Sequence, residues 1–219
     1  MRIVFLLHVY VLLLFAQKCY PYFSLEQQQN IKDKYGKFAY NRVVDYQKTI
    51  AALAKKPQQK RLVFLNRYIN QFLSQYDSVS TKYDDYWSTP VEFLLTGRGD
   101  CEDYAFLKYY SLIQLGFAPK QLYFAIVKEK SEKKNLHMVL CYLQDKNAPL
   151  LVLDNLSFKV LSLNKRYDLK PLYFFNPQGY YKLKKNKLIE YHQKTDTQKI
   201  YSDFLKKVNT EMTKYSCKR

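Results

Sequence analysis

The sequence predicts an α+β fold in which a helix bearing a cysteine packs against an antiparallel sheet, with an N-terminal helical lobe attached. Three observations predict it. Apolar residues recur at helical spacing from Ser24 to about Tyr76. A glycine-broken loop then leads into a further helical pattern that begins at Cys101. Beyond that helix the apolar pattern changes to the one expected of buried strands.

Composition indicates a packed protein with a strong positive charge. The 219 residues have room for one domain, or for a small helical lobe attached to a core. A hydrophobic content of 47% with few glycines and prolines argues against disorder. The formal net charge is +17, from scattered lysines and a lysine-rich C-terminal third. Because no nucleic-acid motif accompanies this charge, we expect no nucleic-acid partner, whereas an acidic partner or an anionic membrane surface would be attracted.

Residues 1–18 are expected to be a signal peptide or an N-terminal anchor. An almost uninterrupted apolar run, Ile3 to Ala16, has the length of a signal-peptide core and is short for a membrane span. Export is the better interpretation. The cleavage site is poorly marked because Leu14 is not small, so retention as an anchor stays open. Lipidation of Cys19 is disfavoured because the two residues before it are not small.

Four cysteines in an exported chain raise the question of disulfide bonds. If Cys101 is a nucleophile, three remain: Cys19, Cys141 and Cys217. This odd number argues against a disulfide-stapled scaffold, so we expect the hydrophobic core to supply the stability. We also expect Cys101 to stay reduced, because no other cysteine is predicted to lie near it.

Residues 19–80 are predicted to form the helical lobe. Ser24 to Gln27 resembles a capping box, and Pro57 is expected to break the helix that follows. One apolar stripe precedes this proline and another follows it: Tyr40, Val43, Val44 and Ile50, then Leu62, Leu65, Ile69, Phe72 and Leu73.

Trp87, the only tryptophan, lies in the polar, turn-rich segment from Asp77 to Thr89. Two roles are open to it. It could contact a substrate, or it could anchor the segment against the core. We favour the anchor, because a large aromatic side chain is usually buried.

The loop Gly97 to Asp100 is predicted to end in a helix that starts at Cys101. Asp100 is a favoured N-cap residue, Asp103 has the spacing of a capping-box acid, and Gly116 is the expected stop. The helix N-terminus should depress the pKa of a thiol in the first turn, and a thiolate is a nucleophile. The alternative is a buried cysteine that only packs.

Three apolar runs after this helix are predicted strands, and they place a histidine beside an acid. The runs are Leu122–Val127, Leu136–Leu143 and Leu150–Leu153. If Leu143 pairs with Leu150 in an antiparallel hairpin, His137 becomes the diagonal neighbour of Asp154. A lone histidine on an apolar strand is usually structural. One with a predicted acid neighbour and a thiol upstream is a candidate base.

These residues carry a resemblance to a known family. The segments from about Tyr83 to Tyr181 resemble, in order and spacing, the bacterial transglutaminase-like cysteine proteinases of the LapG type. The segments that carry it are Trp87–Glu92, Gly97–Ala105, Lys108–Gly116, Leu136–Leu140, Val152–Leu156, Arg166–Pro171 and Phe175–Asn176. The combination of Gly-Asp-Cys-Glu-Asp-Tyr, His-Met-Val-Leu and Leu-Asp-Asn is specific, whereas each alone is weak.

The resemblance implies a papain-like and transglutaminase-like catalytic core over residues 81–182, followed by a basic, helical tail over 183–219. The tail lies outside the strongest match and is inferred from its lysine-rich composition. The resemblance implies a catalytic triad of Cys101, His137 and Asp154. It also implies a periplasmic protease that cleaves the N-terminal region of a large surface adhesin, typically next to paired alanines, and so controls biofilm release. An inner-membrane receptor for cyclic-di-GMP would be the partner that holds the enzyme inactive.

Calcium is the cofactor that the resemblance implies, with Asp100 and Glu102 as ligands. Charge supports this expectation and adds Asp103, because the three carboxylates crowd a thiol that must ionise. A divalent cation bound to their oxygens would cancel the repulsion. The alternative is that Asp100 and Asp103 only cap the helix and Glu102 is solvated.

Two other functions stay open at the level of sequence. A transglutaminase or amidase would use the same triad, because fold and triad do not decide whether water or an amine resolves the thioester. A basic, exported binding module with a vestigial triad belongs to a different class. The presence of all three triad residues argues against that module.

Overall fold

The computed structural model describes residues 19–75, 86–130, 136–192 and 196–217, and its architecture is α+β. The predicted export segment lies outside the described residues. Five helices are described: α1 (Leu25–Ala54), α2 (Gln58–Ile69), α3 (Pro90–Thr96), α4 (Cys101–Gln114) and α5 (Asp196–Lys214). The strands of the described ranges are β1 (Leu73–Ser74), β2 (Arg98–Gly99), β3 (Leu122–Glu129), β4 (Leu136–Tyr142), β5 (Leu151–Leu153), β6 (Leu161–Ser162), β7 (Leu169–Asn176), β8 (Gly179–Lys184) and β9 (Lys187–Glu190). Among the described helices, none has the length and apolarity needed to cross a membrane.

Local signals determine the ends of the N-terminal helices. The Ser24 hydroxyl accepts from the Gln27 N–H at 3.2 Å, and the Gln27 side chain accepts from the Ser24 N–H at 2.8 Å. This confirms the predicted capping box. Pro57 separates α1 from α2, as predicted. Gly36 adds a kink inside α1, with a φ of 84° that a residue without a Cβ adopts readily.

Seven of the strands form one antiparallel sheet, in the order β6-β5-β4-β3-β7-β8-β9. β4 pairs with β5 so that Leu140 faces Leu153. Continued toward the hairpin, this register sets Leu143 opposite Leu150, which is the predicted pairing. A slip of one residue would have turned every side chain of β4 to the other face. Strands β7 to β9 escape the sequence prediction, because lysines interrupt their apolar pattern.

Helix α4 is the centre of the molecule. Every residue from Glu102 to Ile113 is buried, because α1, α2, α3 and the sheet surround it. The sheet contributes one apolar face to this core, with Leu140 and Tyr142 of β4. Its other face holds a second, smaller cluster that includes Val139 and Cys141. The alternation of β4 is therefore apolar on both faces, which explains why the strand reads as a continuous apolar run.

Trp87 is 5% exposed and belongs to an aromatic cluster between α4, the sheet and α5. Its ring lies 5.1 Å from that of Phe106, 6.4 Å from that of Phe175 and 6.2 Å from that of Phe204. Trp87 therefore anchors its segment against the core, as predicted. Burying one such ring contributes about 1.5–3 kcal/mol, so this cluster is a principal connection between the C-terminal helix and the core.

The C-terminal segment, predicted as a basic helical tail over residues 183–219, packs in part on the core. Residue 182, the predicted end of the core, lies inside β8, and β9 extends the sheet further. The predicted helix exists as α5, and one of its faces is buried in the core through Tyr201, Phe204, Val208 and Met212. The prediction was misled by the lysines, which occupy the remaining faces and conceal the apolar positions among them. The other boundary, at residue 80, lies outside the described residues.

A disulfide joins Cys19 to Cys217. The expectation of an unstapled chain is therefore wrong. The argument from the odd number of remaining cysteines failed because a second cysteine, Cys141, is a free thiol like Cys101. Linking residues 198 positions apart joins the two ends of the described chain and restricts the unfolded ensemble strongly.

Candidate active site

The thiol of Cys101 lies where the start of α4 meets β4. Its Sγ donates to Glu102 Oε2 at 3.1 Å and accepts from the backbone N–H of Met138 at 3.3 Å. Met138 directly follows His137. Helix α4 starts at Cys101, as predicted. The packing of α4 against the sheet brings Cys101 to β4, the strand that carries His137.

The acids around the thiol do not cap the helix as predicted. Asp100 occupies the N-cap position, but its side chain makes no capping hydrogen bond. Asp103 instead accepts from the Ser88 N–H at 2.8 Å, which ties the segment before α3 to the start of α4. Gly99 makes this approach possible, because a Cβ at that position would collide with the Asp103 carboxylate. The glycine is thus required by packing.

The thiol pKa moves opposite to the prediction. Burial raises the pKa of Cys101, and the negative charges of Glu102 and Asp100 raise it further, while the Met138 N–H lowers it. The helix N-terminus alone is therefore a poor guide to this thiol. The acids that follow and precede the cysteine in sequence reverse the expected direction.

His137 and Asp154 form the predicted pair. His137 Nε2 lies 2.8 Å from Asp154 Oδ1, in a site where the histidine is 6% exposed and the aspartate is fully buried. The same Oδ1 accepts from the Leu156 N–H at 2.9 Å. With Nε2 engaged, Nδ1 is the ring nitrogen that can exchange a proton with a thiol.

Arg166 completes this network, and sequence reasoning did not assign it a role. Its Nη2 donates to Asp154 Oδ2 at 2.7 Å and to Asp168 Oδ2 at 2.6 Å. Burial alone would raise the pKa of Asp154, but the bonds from His137, the Leu156 N–H and Arg166 outweigh burial and lower it. The sequence signal that could have identified Arg166 is the Arg-Tyr-Asp run that starts at Arg166, within a segment that carries the family resemblance. This run does not show which acid the arginine binds.

Cys101 and His137 line one cleft of about 220 Å³. The cleft lies between the first turn of α4, the start of β4 and the N-terminal part of α5. Its remaining lining residues are Trp87, Glu102, Ile126, Leu136, Met138, Tyr173, Thr197 and Ile200. On the α5 side, the Tyr173 and Thr197 hydroxyls lie 2.6 Å apart in a hydrogen bond. A nucleophile and a base with an orienting acid on one cleft can carry out acyl transfer.

Asp100 and Glu102 have the donor chemistry of a calcium site. Burial raises the pKa of Glu102, as do the charges of Asp100 and Asp103 and a hydrogen bond between the Glu102 and Asp100 carboxyl groups. Two carboxyl groups in contact need a shared proton or a cation, and carboxylate oxygens suit Ca²⁺. Asp103, however, is directed to Ser88. Within the described residues, no group of three or more His, Cys, Asp or Glu side chains could hold a metal ion. All three ligands, Asp100, Glu102 and Asp103, therefore stay predictions.

Comparisons with known proteins identify a family and related structures. A family model described as bacterial transglutaminase-like cysteine proteinase matches residues 39–174. Calcium-bound LapG of Legionella pneumophila is 31% identical, with a TM-score of 0.70 over 84% of this chain and 99% of that one. LapG of the same organism without a stated ligand is 32% identical at a TM-score of 0.69, covering 85% of this chain and 98% of that one. EGTA-treated LapG is 31% identical at 0.70, with the same coverage. No curated protein sequence matches. These similarities confirm the predicted α+β, transglutaminase-like core.

Proposed function

Because the chain belongs to the family of bacterial transglutaminase-like cysteine proteinases, we propose that it is a calcium-dependent cysteine endopeptidase of the periplasm. Its substrate would be the N-terminal region of a large surface adhesin. The observation that carries the proposal is the shared cleft, in which the Cys101 thiol lies against the backbone of the strand that holds His137.

The proposed reaction assigns one role to each member of the triad. His137 Nδ1 accepts the thiol proton while Cys101 Sγ attacks the peptide carbonyl. The tetrahedral species collapses with loss of the amine, which leaves with the proton from His137, and a thioester remains on Cys101. Water, deprotonated by His137, hydrolyses this thioester and restores the thiol. Asp154 holds the imidazole so that Nδ1 faces the thiol throughout.

Glu102 gives the calcium requirement a physical basis. In this structure the thiol proton is directed to Glu102 Oε2, so this carboxylate competes with His137 for it. A bound divalent cation would supply positive charge to the carboxylates. Glu102, held with Asp100 on such a cation, would no longer accept the thiol proton, and Cys101 could pass it to His137. LapG is known in a calcium-bound form, which supports the same proposal.

Periplasmic location rests on two features. The apolar run within residues 1–18 is the predicted export signal. The Cys19–Cys217 disulfide is independent support, because structural disulfides persist in oxidising compartments. The adhesin substrate and a cyclic-di-GMP receptor as the inhibitory partner come from the family resemblance. The net charge of +17 suits an acidic surface on either partner.

The test is cleavage by purified protein with added calcium. A degenerate peptide library enriched in paired alanines, read by mass spectrometry, should yield two fragments from each substrate. Cys101→Ala should abolish cleavage and leave the fold intact, because it removes the nucleophile and little buried volume. Crosslinked, heavier products would favour a transglutaminase instead. Full activity in Cys101→Ala would exclude a cysteine peptidase.

A further inference from the structure

Arg166 is a buried cation that binds the acid of the proposed triad directly. It is 7% exposed and lies between β6 and β7. Its Nη2 donates to Asp154 Oδ2 at 2.7 Å, and within the described residues every other hydrogen bond of its side chain goes to Asp168. A buried guanidinium loses its hydration, and the attraction to a carboxylate offsets that loss only where the geometry is good. The place of this side chain in the fold therefore depends on the two acids.

Asp168 orients the guanidinium from the solvent side. Arg166 Nε donates to Asp168 Oδ1 at 2.9 Å and Nη2 donates to Oδ2 at 2.6 Å, a two-point contact that suits a planar guanidinium. The Asp168 side chain is more than half exposed, whereas that of Asp154 is fully buried. Nη2 thus binds one oxygen of each acid. A lysine at this position would keep the charge and lose the fork.

The two carboxylate oxygens of Asp154 have separate partners. Oδ1 lies 2.8 Å from His137 Nε2 and accepts from the Leu156 N–H at 2.9 Å, whereas Oδ2 accepts from Arg166. The backbone of Asp154 is held independently, because Asn70 Nδ2 donates to its carbonyl oxygen at 2.7 Å. Rotation about the Cβ–Cγ bond would exchange the two oxygens, and the bond to Arg166 opposes that rotation. Loss of Arg166 would therefore release the carboxylate and leave the backbone of Asp154 bound.

We infer that Arg166 is a positioning residue of the proposed peptidase, which holds Asp154 Oδ2 so that Oδ1 stays directed at His137 Nε2. This inference rests on the proposed function for its catalytic part. Arg166 does not line the cleft that contains Cys101. It therefore acts on the reaction only through Asp154 and the histidine. Its positive charge adds to the effect, because a cation beside a carboxylate keeps that carboxylate ionised.

The first test measures the bond between His137 and Asp154 and needs no peptidase activity. In the calcium-loaded, ¹⁵N-labelled protein, the His137 Nε2 proton, assigned by its loss in His137→Ala, should exchange slowly with water because the ring is buried and bonded. In Arg166→Met at the same pH, this exchange should be about tenfold faster, since a released carboxylate lets the bond open more often. An unchanged exchange rate in folded Arg166→Met would overturn the inference, whatever the activity of the protein.

The second test measures catalysis on a peptide that the library identifies as a substrate. Arg166→Met should lower kcat about tenfold and leave KM within about twofold, because Arg166 lies outside the cleft. Arg166→Lys should recover part of the lost kcat, because it keeps the positive charge. A kcat of Arg166→Lys no higher than that of Arg166→Met would contradict the part of the inference that concerns charge.

The control for general destabilisation is Arg61→Met in α2. Arg61 also connects separate segments, but its side chain donates to three backbone carbonyl oxygens at 2.6–2.9 Å, those of Ala54, Lys56 and Leu115. Both variants should lower the melting temperature, because each removes several hydrogen bonds. Only Arg166→Met should lower kcat. An equal loss of kcat in Arg61→Met would show that destabilisation, rather than the position of Asp154, explains the result.

If Arg166→Met does not fold, Arg166→Gln, which is neutral but polar, undergoes the same measurements. A wild-type kcat in either folded variant would contradict the inference. A peptide library that no form of the protein cleaves would count against the proposed function. In that case the exchange of the His137 proton would still decide whether Arg166 holds Asp154 in place.

Discussion

Two buried acids lie beside the two proposed catalytic groups, Cys101 and His137, and the surroundings of these acids are opposite in charge. Asp154, the neighbour of His137, is contacted by the imidazole, by the Leu156 N–H and by Arg166, and these contacts lower its pKa despite burial. The acid is a carboxylate with positive or donating groups on both oxygens. It is satisfied within the chain and needs no further ligand.

Glu102, the neighbour of Cys101, is 8% exposed and has acids on both sides. Burial raises its pKa, followed by the charges of Asp100 and Asp103. Its Oε2 accepts a hydrogen bond from the Cys101 thiol. The contrast teaches that the base half of the site is complete, whereas no basic side chain of the described residues is seen to contact the acids of the nucleophile half. The proposed calcium would supply positive charge there.

The largest effect is expected at the completed half. Asp154→Asn should lower kcat by about 10⁴-fold, as substitutions that favour the wrong histidine tautomer do. Asp168→Asn is the matched control, because Asp168 also binds Arg166 but is 59% exposed and does not contact His137. Steady-state kinetics on a peptide that the library identifies as a substrate would compare Asp154→Asn with Asp168→Asn. Equal losses in both variants would show that Arg166, rather than the acid itself, is what matters.

A somewhat smaller effect is expected at the incomplete half. Chelation by EGTA should reduce cleavage by about 100-fold or more, in the range seen when a metal site is disturbed. Added calcium should restore the rate, and magnesium should substitute poorly because it demands stricter octahedral geometry. Asp100→Ala should mimic chelation. Isothermal titration calorimetry with calcium gives the affinity of the protein for calcium independently of activity. Metal-free enzyme that cleaves at the full rate would remove the calcium site from the proposal.

Stability should respond to the two acids with opposite signs. The folded pKa of Asp154 lies below its unfolded value of about 4. Its contribution is therefore present above about pH 4 and is lost as the pH falls below that value. Asp154→Asn should cost about 3 kcal/mol at pH 7, and less at pH 3.

The folded pKa of Glu102 lies above its unfolded value of about 4.3. The folded state therefore loses stability relative to the unfolded state as the pH rises from about 4.3 through the folded value. In EGTA at pH 7, Glu102→Gln should accordingly be more stable than the wild-type protein, by on the order of 1 kcal/mol. Thermal unfolding at pH 7 and pH 3 measures the stability of Asp154→Asn and of Glu102→Gln. If Glu102→Gln were less stable than the wild-type protein in EGTA, the proposed contrast between Glu102 and Asp154 would be wrong.

The smallest effect on catalysis is expected far from both acids. Replacing Cys19 and Cys217 together by Ser should lower stability by about 4 kcal/mol, because the disulfide closes a very long loop. It should leave kcat unchanged at temperatures where the variant is folded. Denaturant unfolding beside kinetics checks both parts. A large loss of kcat in the folded double variant would mean that the position of α5, which lines the cleft, depends on the staple.

Local patterns in the sequence were sufficient for the elements near the site. The capping box at Ser24, the break at Pro57 and the start of α4 at Cys101 depend on residues within a few positions of one another. The register of β4 and β5 is the one predicted from a short hairpin that pairs Leu143 with Leu150. These signals predicted the contact between His137 and Asp154.

The signals failed where partners are far apart in the sequence. Arg166 has two nearby acids in space, and only the folded loops show that Asp154 is one of them. Lysines hid the buried face of α5, because its apolar positions acquire meaning only against the aromatic cluster. The disulfide joins the two ends of the described chain, a pairing that a count of cysteines cannot supply.

The sequence by itself determined which residues are proposed to carry the chemistry: a thiol at a helix start, a histidine on a strand and an acid one hairpin away. Only the tertiary structure decided their electrostatic state. Burial and neighbouring charges act through space, and they depend on distances that no local pattern encodes. For that reason the thiol pKa is raised where the helix N-terminus alone predicts a depressed one.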